Sequence, residues 1–419
     1  MKKTLLFLII FLSLSIKAQD IQRLFDNRDF IRLSNLEVEN WKPNDFFHSF
    51  VKVHTLNALA RFEESNRGIL PLLNANEARR NSDFMIALLI LQADNYVKMF
   101  QYRQASEVYK KILNSYGDLL GEGKWSYENS ARKYSALSNV RPLQVNIPQN
   151  TTIQMTPDRQ GLLQVPVRTL KDSVLLIFDT GAGISMLTES VAKRLGISIL
   201  ADSIIMNGGI ADMEYMKIGV ADVLYLGDIA YKNVVFGIIE DEKAVFPGHY
   251  YTISGTLGFP EIRALSSMKI HRNGILEVFK NAEPQHKNNM MFTNMQQIIV
   301  QVNDSLLFWL DTGAVYSSLS VNYYNNNKRL IERIGKSMIR TVSGIGGSQE
   351  FYIYILTDFP IKINTTTAYL SKMHVFTLSA FILVNEYDGV LGQDIISRFN
   401  YILIDFKNMY FAFGDKHFF

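Results

Sequence analysis

The chain has 419 residues, of which 47% are apolar and 12% are aromatic. This length allows two or three domains, and the composition excludes long disordered stretches. The formal net charge is +3, so the composition gives no indication of a strongly basic surface that would bind a nucleic acid or an anionic membrane. The sequence has no cysteine, which excludes disulfide bonds, a cysteine nucleophile and a lipid-modified cysteine.

The chain begins with two lysines and a short apolar run from Leu5 to Ile16, followed by a small residue, Ala18. This order predicts a secretory signal peptide over residues 1–18. A membrane anchor is the alternative, but the run is shorter than the roughly 20 residues that a spanning helix needs. Removing residues 1–18 takes away three lysines and leaves 40 basic and 40 acidic residues. We therefore expect an exported protein, periplasmic or else extracellular, without stable membrane insertion after cleavage.

Residues 19–138 contain few glycines and prolines, and their apolar residues recur at intervals of three and four, which predicts an all-α domain. The most regular part resembles a single tetratricopeptide-like helix pair, in which small and aromatic residues pack between the helices. The residues that carry this resemblance are Ala93, Tyr96, Ala105, Tyr109 and Ile112. An ordinary helical bundle remains the alternative, because one copy alone is readable. The domain could hold substrate, cap a cleft or bind a protein partner, and a removable propeptide is the alternative to a permanent domain.

Residues 139–160 carry three prolines in a polar tract, which predicts a linker or an extended entry strand. The rest of the chain alternates β-branched and aromatic runs with glycine-containing turns, which is typical of an all-β fold. A second polar stretch at residues 281–294 predicts a linker between two segments of similar length, 161–280 and 295–419. We expect six or seven strands in each segment.

The two β segments repeat the same features in the same order. The sequence DSVLLIFDTGA at residues 172–182 recurs as DSLLFWLDTGA at residues 304–314, which is 132 positions later. In each segment a predicted short helix and a glycine-rich hairpin follow this phrase. The first helix has Thr188 as its predicted N-cap and Gly196 as its stop, and the second helix ends at Gly335.

A Leu-Gly pair completes each repeat, since Gly258 follows Asp179 by 79 positions and Gly392 follows Asp311 by 81. An apolar strand that ends in Asp-Thr-Gly places a carboxylate at the edge of a buried sheet, and the glycine allows a sharp turn. Two such carboxylates from similar halves can meet across a pseudo-twofold axis. Carboxyl groups about 3 Å apart share one proton, so one can activate a water while the other protonates a carbonyl oxygen.

These motifs make the β region similar to the retropepsin and pepsin superfamily of aspartic proteases, over about residues 161–413. The resemblance implies an all-β bilobal fold of two closed, barrel-like lobes, without a cofactor or a metal. It also implies that Asp179 and Asp311 are catalytic and that the threonine hydroxyls interlock beneath them. By the same resemblance, the supporting residues would be Thr180, Gly181, Thr312 and Gly313, the psi-shaped loops would contain Leu257, Gly258, Leu391 and Gly392, and the flaps would contain Gly208, Gly209, Gly344, Gly346 and Gly347.

Two details depart from pepsin-type enzymes. Ala182 and Ala314 stand where pepsin-type lobes carry a serine or threonine that bonds to the carboxylates, so the pair should titrate at higher pH. We therefore expect a pH optimum of activity that is less acidic than that of pepsin, between about pH 4 and pH 6.5. The sequence SGIGGS at residues 343–348 is similar to a retropepsin flap tip, which makes the second lobe the candidate for the main flap, although glycines at a hairpin tip can also be plain turn residues.

We expect an exported aspartic endopeptidase with a peptide or protein substrate, active as a monomer because one chain carries both halves. The alternatives are a catalytically silent peptide-binding protein on the same scaffold, or a partner-binding scaffold that acts through the helical domain. The histidines form no metal pattern, since His48 and His54 lie six positions apart without the glutamate of an HExxH motif. The sequence GEGK at residues 121–124 lacks the spacing of a phosphate-binding loop, and a Gly-x-Ser-x-Gly elbow is absent from the sequence.

Overall fold

The computed structural model describes most of the chain. The described residues are 20–36, 45–207, 213–246, 251–283, 287–294, 296–344, 347–378 and 386–414. The predicted signal peptide lies outside them, and so do three candidate flap residues, Gly208, Gly209 and Gly346. Within the described ranges, no helix has both the length and the apolar character that crossing a membrane requires.

The N-terminal part of the chain is helical over residues 20–136, as the apolar spacing predicts. Residues 20–26 are helical, and the helices that follow are α1 (Phe30–Ser34), α2 (Phe46–Ala58), α3 (Phe62–Asn74), α4 (Asn76–Arg80), α5 (Ser82–Lys98), α6 (Tyr102–Tyr116) and α7 (Lys124–Ala136). Short polar side chains begin two of the longer helices, because Asp45 accepts the backbone N–H of Phe47 and Asn81 accepts that of Asp83.

The predicted helix pair corresponds to α5 and α6. Ala93 and Ala105 have no exposed surface, and Ala93 packs with Ile112 in an apolar cluster that Tyr96 and Tyr109 border. Small residues at the contact let the two helices approach closely. The tetratricopeptide-like character of the pair stays a prediction.

The remainder of the chain is rich in β-strands, and its described residues include three further α-helices, α8 (Glu189–Leu195), α9 (Phe259–Ala264) and α10 (Val321–Ile334). The strands, in chain order, are β1 (Gln144–Asn146), β2 (Thr151–Gln154), β3 (Thr156–Pro157), β4 (Leu163–Arg168), β5 (Ser173–Phe178), β6 (Ser185–Thr188), β7 (Ser198–Asn207), β8 (Met213–Leu226), β9 (Ile229–Ile239), β10 (Val245–Phe246), β11 (Tyr251–Thr252), β12 (Gly255–Leu257), β13 (Ser267–His271), β14 (Ile275–Val278), β15 (Met290–Phe292), β16 (Ile298–Val302), β17 (Leu306–Leu310), β18 (Ser318–Leu319), β19 (Lys336–Gly344), β20 (Gly347–Leu356), β21 (Phe359–Ile363), β22 (Thr366–Leu370), β23 (Met373–Phe376), β24 (Gly389–Leu391), β25 (Tyr401–Asp405) and β26 (Tyr410–Phe413).

Three larger sheets organise these strands. The first sheet has the order β1-β9-β6-β12-β5-β4-β8-β7, with β3 on β4 and a further pairing of β8 with β9. The second sheet has the order β15-β16-β17-β24-β18-β23-β20-β19. The third sheet, β2-β14-β13-β25-β26, joins strands from both predicted β segments. Two hairpins, β10-β11 and β21-β22, stand apart from these sheets.

The sheets correct several boundaries predicted from the sequence. Residues 139–160 are not a plain linker, because they contain β1, β2 and β3, which pair with β9, β14 and β4. Residues 281–294 include β15, which extends the second sheet. Among the described residues, segments 161–280 and 295–419 contain eleven strands each, and seven strands of each segment belong to the first or the second sheet, so the estimate of six or seven strands fits those sheets but not the whole segments. Strands outside the repeated phrases pair across long sequence distances, which local patterns do not reveal.

The two predicted helices of the β region form where the sequence places them. Gly196 follows α8 with a φ of 71°, a left-handed conformation that glycine adopts without strain. The side chain of Thr188 does not cap α8, and the carboxylate of Asp241 accepts the N–H of Ser190 instead, at 3.1 Å. In α10 the hydroxyl of Ser320 does act as the cap.

Helices of the N-terminal region cover one face of β5 and one face of β17. Ile177 of β5 shares an apolar cluster with Tyr102 and Tyr134 of the helical region. Trp309 of β17 shares another cluster with Ile31. The opposite faces of the same strands belong to one large core, which unites the three sheets. The helical region therefore packs against both halves of the β region.

Candidate active site

The two Asp-Thr-Gly-Ala sequences form matching loops at the ends of β5 and β17. Each strand runs parallel to the short strand that ends in Leu-Gly, β12 in the first sheet and β24 in the second. The backbone N–H of Asp179 donates to the carbonyl of Leu257 at 3.0 Å, and that of Asp311 donates to Leu391 at 2.9 Å. These bonds fix the position of each aspartate at the edge of a buried sheet.

The glycines that follow these leucines allow close packing. A Cβ atom at Gly258 would lie 2.7 Å from the carbonyl oxygen of Ala182, and one at Gly392 would lie 2.8 Å from that of Ala314. Both glycines have ordinary negative φ angles, so the requirement is for space. The Leu-Gly pairs therefore press directly against the Asp-Thr-Gly-Ala loops.

The two threonines join the loops by four hydrogen bonds. The N–H of Thr180 donates to the hydroxyl of Thr312 at 2.9 Å, and the N–H of Thr312 donates to the hydroxyl of Thr180 at 3.0 Å. The Thr180 hydroxyl donates to Leu310 O at 2.8 Å, and the Thr312 hydroxyl donates to Phe178 O at 2.6 Å. Both side chains are buried. The interlock predicted from the family resemblance is thus present, and it locks the two loops in register.

Above this interlock the carboxyl groups of Asp179 and Asp311 face each other, and each influences the pKa of the other. Each carboxylate also lies against the glycine of the other loop, and a Cβ at Gly313 would be 2.5 Å from Oδ1 of Asp179. Within each loop the glycine N–H donates to its own aspartate at 2.8 Å, from Gly181 to Asp179 and from Gly313 to Asp311. The glycines therefore orient the carboxylates and leave room for them to meet.

Electrostatics in the site favour one shared proton. Burial raises the pKa of Asp179 above its usual range, although the N–H groups of Gly181 and Ala182 oppose the rise. Burial raises the pKa of Asp311 further, and the neighbouring charge of Asp179 adds to the effect. Two carboxylates this close are not both ionised at mildly acid pH. The arrangement offers one proton donor and one proton acceptor side by side.

A second pair of acids, which the sequence analysis missed, supports the Leu-Gly loops. The hydroxyl of Ser185 accepts the N–H of Gly258 at 2.8 Å and donates to the buried carboxyl of Glu261. In the other half, the hydroxyl of Ser317 accepts the N–H of Gly392 at 3.0 Å and donates to Asp394 at 2.5 Å. Both serines lie six positions after the aspartate of their Asp-Thr-Gly sequence. That repeated spacing was a usable signal.

The candidate flap of the second half is a long hairpin. Strands β19 and β20 pair along their length, ending with Gly344 opposite Gly347. In the first half, β7 and β8 pair in the same way up to Asn207 and Met213. The hairpins thus occupy corresponding places after each Asp-Thr-Gly-Ala loop, and their function as flaps stays a prediction.

Metal binding has no support among the described residues, which contain no group of three or more histidine, aspartate or glutamate side chains placed to hold an ion. His54 lies in α2 with Nδ1 2.9 Å from the carbonyl oxygen of Phe50, and burial lowers its pKa to about 4. The GEGK sequence forms a 3₁₀ turn at Gly121–Gly123 that leads into α7.

Comparison with known proteins gives a family match over the first of the two loops. A family model described as an aspartyl protease matches residues 165–260, which include the first Asp-Thr-Gly-Ala loop and the first Leu-Gly pair. No curated protein matches the chain. Among solved structures, the chain is similar to conglutin gamma, a basic 7S globulin from lupine seeds. That similarity has 11% sequence identity and a TM-score of 0.39, and it covers 64% of this chain and 96% of the globulin.

Proposed function

We propose that the protein is an aspartic endopeptidase that hydrolyses peptide bonds with a water activated between Asp179 and Asp311. The observation that carries the proposal is the meeting of the two carboxylates above a double threonine interlock. The family match at residues 165–260 supports the same reaction class. An isolated Asp-Thr-Gly turn would need neither the partner carboxylate nor the interlock.

The proposed reaction needs one proton on the pair. Asp311, with the more strongly raised pKa, holds the proton, and Asp179 is ionised. Asp179 takes a proton from water as the water oxygen attacks the carbonyl carbon, while Asp311 gives its proton to the carbonyl oxygen. When the C–N bond breaks, Asp179 passes its proton to the leaving nitrogen and Asp311 takes one from the tetrahedral diol. The pair then returns to its starting state.

The architecture that we propose around this site is a bilobal protease with two closed, barrel-like lobes and an N-terminal helical domain that contains one tetratricopeptide-like unit. The hairpin β19-β20 would act as the main flap over substrate. One chain holds both loops, so a monomer should be active. The apolar start of the sequence supports export through a signal peptide, with the periplasm as the expected location and the extracellular space as the alternative.

Cleavage of a mixed peptide library between pH 3 and pH 8 tests the proposal. The wild type would be compared with Asp179→Asn and Asp311→Asn, with folding checked by circular dichroism. We expect the wild type to cut, with an optimum between about pH 4 and pH 6.5, and each single variant to lose activity. A folded wild type that cuts nothing across this range would favour the peptide-binding alternative. Loss of activity in one variant alone would contradict the pairing of the two loops.

A further inference from the structure

The hairpin β19-β20 has two different faces. Successive side chains of a strand point to opposite faces. On one face Tyr354 stacks with Tyr324 of α10, with ring centroids 6.0 Å apart, so the helix covers that side. On the other face Phe351 and Phe376 pack edge to face, and Arg340 lies beside them because it pairs directly with Phe351. Arg340 therefore belongs to the face opposite to α10, which it shares with the buried pair Phe351 and Phe376.

Arg340 reaches the loop that carries Asp311. Its guanidinium carbon lies 4.6 Å from the ring centre of Tyr316, which is two residues beyond Ala314. The backbone of Tyr316 in turn lies against Gly392, where a Cβ would be 2.7 Å from the Tyr316 carbonyl carbon. Tyr316 as a whole residue is 45% exposed. The guanidinium of Arg340 thus lies over the ring of the half-exposed Tyr316, at the edge of the candidate active site.

Among the described residues, the side chains around Arg340 include no acid that forms an ion pair with it. Its Nη1 lies 2.9 Å from Nε2 of His374, whose pKa is lowered to about 4 by burial and by the charges of Arg340 and Lys372. The imidazole is therefore neutral above that pH and accepts the hydrogen bond. Glu350 pairs with Thr341, so its side chain points to the opposite face. Within the described ranges, no ion pair joins Arg340 to an acid.

The corresponding position in the first half has a different character. Ile184 stands five residues after Asp179, as Tyr316 does after Asp311. It packs against an apolar cluster that includes Tyr102 and Tyr134 of the helical region. The helices thus cover this position in one half, while in the other half it is exposed and lies beneath a guanidinium.

We propose that Arg340, held by Tyr316 and His374, binds a carboxylate of the substrate on one side of the scissile bond. The inference rests on the proposed function in that the cleft must receive a peptide. A guanidinium offers a planar pair of donors that fits a carboxylate, and stacking on an aromatic ring restricts it to few orientations. Substrates with an acidic side chain at one position are therefore preferred, and a C-terminal carboxylate is the other source of the same group.

Peptide binding to the Asp179→Asn variant tests this inference without cleavage. The probes are fluorescent decapeptides that carry glutamate or glutamine at one position at a time, each with a free or an amidated C-terminus. We expect glutamate to bind about 10-fold more tightly than glutamine at one position on one side of the peptide centre. The preference should vanish below about pH 4, where the peptide carboxyl is protonated. A preference for the free C-terminus alone would identify the chain end as the ligand.

Substitutions of Arg340 assign the preference to this residue. Arg340→Gln in the same background should lose the preference for glutamate over glutamine, and Arg340→Glu should favour lysine at that position. Arg333→Gln, an exposed change on α10, is the matched control and should keep the preference. The inference is overturned if glutamate and glutamine bind alike, or if Arg340→Gln keeps the difference. Cleavage of neutral peptides by the wild type is scored separately, so a failure of the proposed function remains distinguishable.

Discussion

The two Asp-Thr-Gly-Ala loops have the same backbone plan and different surroundings. Both loops use an Asp-Thr-Gly-Ala turn, a Leu-Gly pair, and a serine that links the glycine of that pair to an acid, Glu261 in the first half and Asp394 in the second. Beyond these contacts the halves diverge, since helices cover Ile184, whereas Tyr316 is open. The repeat is therefore retained where two backbones must meet at fixed distances. It has diverged five residues after the aspartate, where helices cover Ile184 in one half and Tyr316 is half-exposed in the other.

The largest expected effect concerns the threonine interlock, where the halves should respond equally. Thr180→Val removes the acceptor of the Thr312 N–H and the donor to Leu310 O, and Thr312→Val does the same to Thr180 and Phe178. Two unpaired buried backbone groups cost about 2–5 kcal/mol of unfolding free energy. Urea unfolding of both variants measures this loss, with the serine substitutions, which keep the hydroxyl, as controls. If one variant lost much less unfolding free energy than the other, the two threonines would not contribute equally to the interlock.

Glu261 in the first half and Asp394 in the second should affect the pH dependence of the unfolding free energy to different extents. Burial raises the pKa of Glu261 to about 7, so between about pH 4.5 and pH 7 the folded chain holds a proton that the unfolded chain has released. The stabilisation is complete below pH 4.5 and is lost as the pH rises through 7, by up to about 3 kcal/mol. Glu261→Gln should flatten this part of the curve of unfolding free energy against pH.

Asp394 provides the comparison for that experiment. It is less deeply buried than Glu261 and accepts both the N–H and the hydroxyl of Ser317. Burial raises its pKa as well, so the sign of its pH dependence is the same. Asp394→Asn should change the curve less than Glu261→Gln does. An equal or larger change for Asp394→Asn would contradict the link between deeper burial and stronger pH dependence.

A single arginine that joins the helical region to the first sheet should contribute more unfolding free energy than a single arginine that joins it to the second sheet. Arg263 of α9 donates to the carbonyl of Lys98 and lies over the rings of Phe62, Phe100 and Phe259. Arg263→Leu should therefore lower the unfolding free energy by about 1–3 kcal/mol.

The matched change on the other side is Arg28→Leu, which removes an exposed ion pair with Glu386. Exposed pairs contribute at most about 1 kcal/mol. Thermal unfolding of both variants gives the comparison. If Arg28→Leu were the more damaging change, the helical region would be anchored mainly on the second sheet.

The smallest expected difference lies in the helix caps. Ser320→Ala removes a hydroxyl that caps α10 and also donates to the carbonyl of Tyr387 at 2.6 Å, which should cost about 1 kcal/mol. Thr188→Ala should cost less, because Asp241 caps α8 from a distant loop. Chemical unfolding of the two variants tests the order, and the reverse order would mean that Thr188 caps α8 in solution.

The sequence predicted the parts of the site that local patterns encode. The repeated phrase and the Leu-Gly spacing located Asp179 and Asp311 and the backbones that meet them. It could not predict the third sheet, because the pairing of β2 with β14 and of β13 with β25 depends on residues far apart in the chain. For the same reason the cap from Asp241 was missed, since this residue lies about 50 positions from the helix start that it caps.

The long-range surroundings of charged side chains were equally hidden. Nothing local to Arg263 indicates that its guanidinium lies among three phenylalanine rings, two of which come from residues 62 and 100. Arg340 likewise reads as an ordinary exposed residue of a strand until Tyr316 and His374 are placed beside it. Such contacts form only when the sheets and the helical region assemble.

Titration of the two carboxyl groups by carbon-13 NMR of labelled aspartate tests the central claim most directly, with assignments from the Asn variants. We predict that Asp311 stays protonated well above the ordinary aspartate pKa of about 3.9 while Asp179 is ionised. In Asp179→Asn the pKa of Asp311 should fall, because the neighbouring negative charge is gone, yet stay above 3.9 because the group is still buried. If both groups titrated independently near 3.9 and the substitution changed nothing, the shared proton and the proposed reaction would be contradicted.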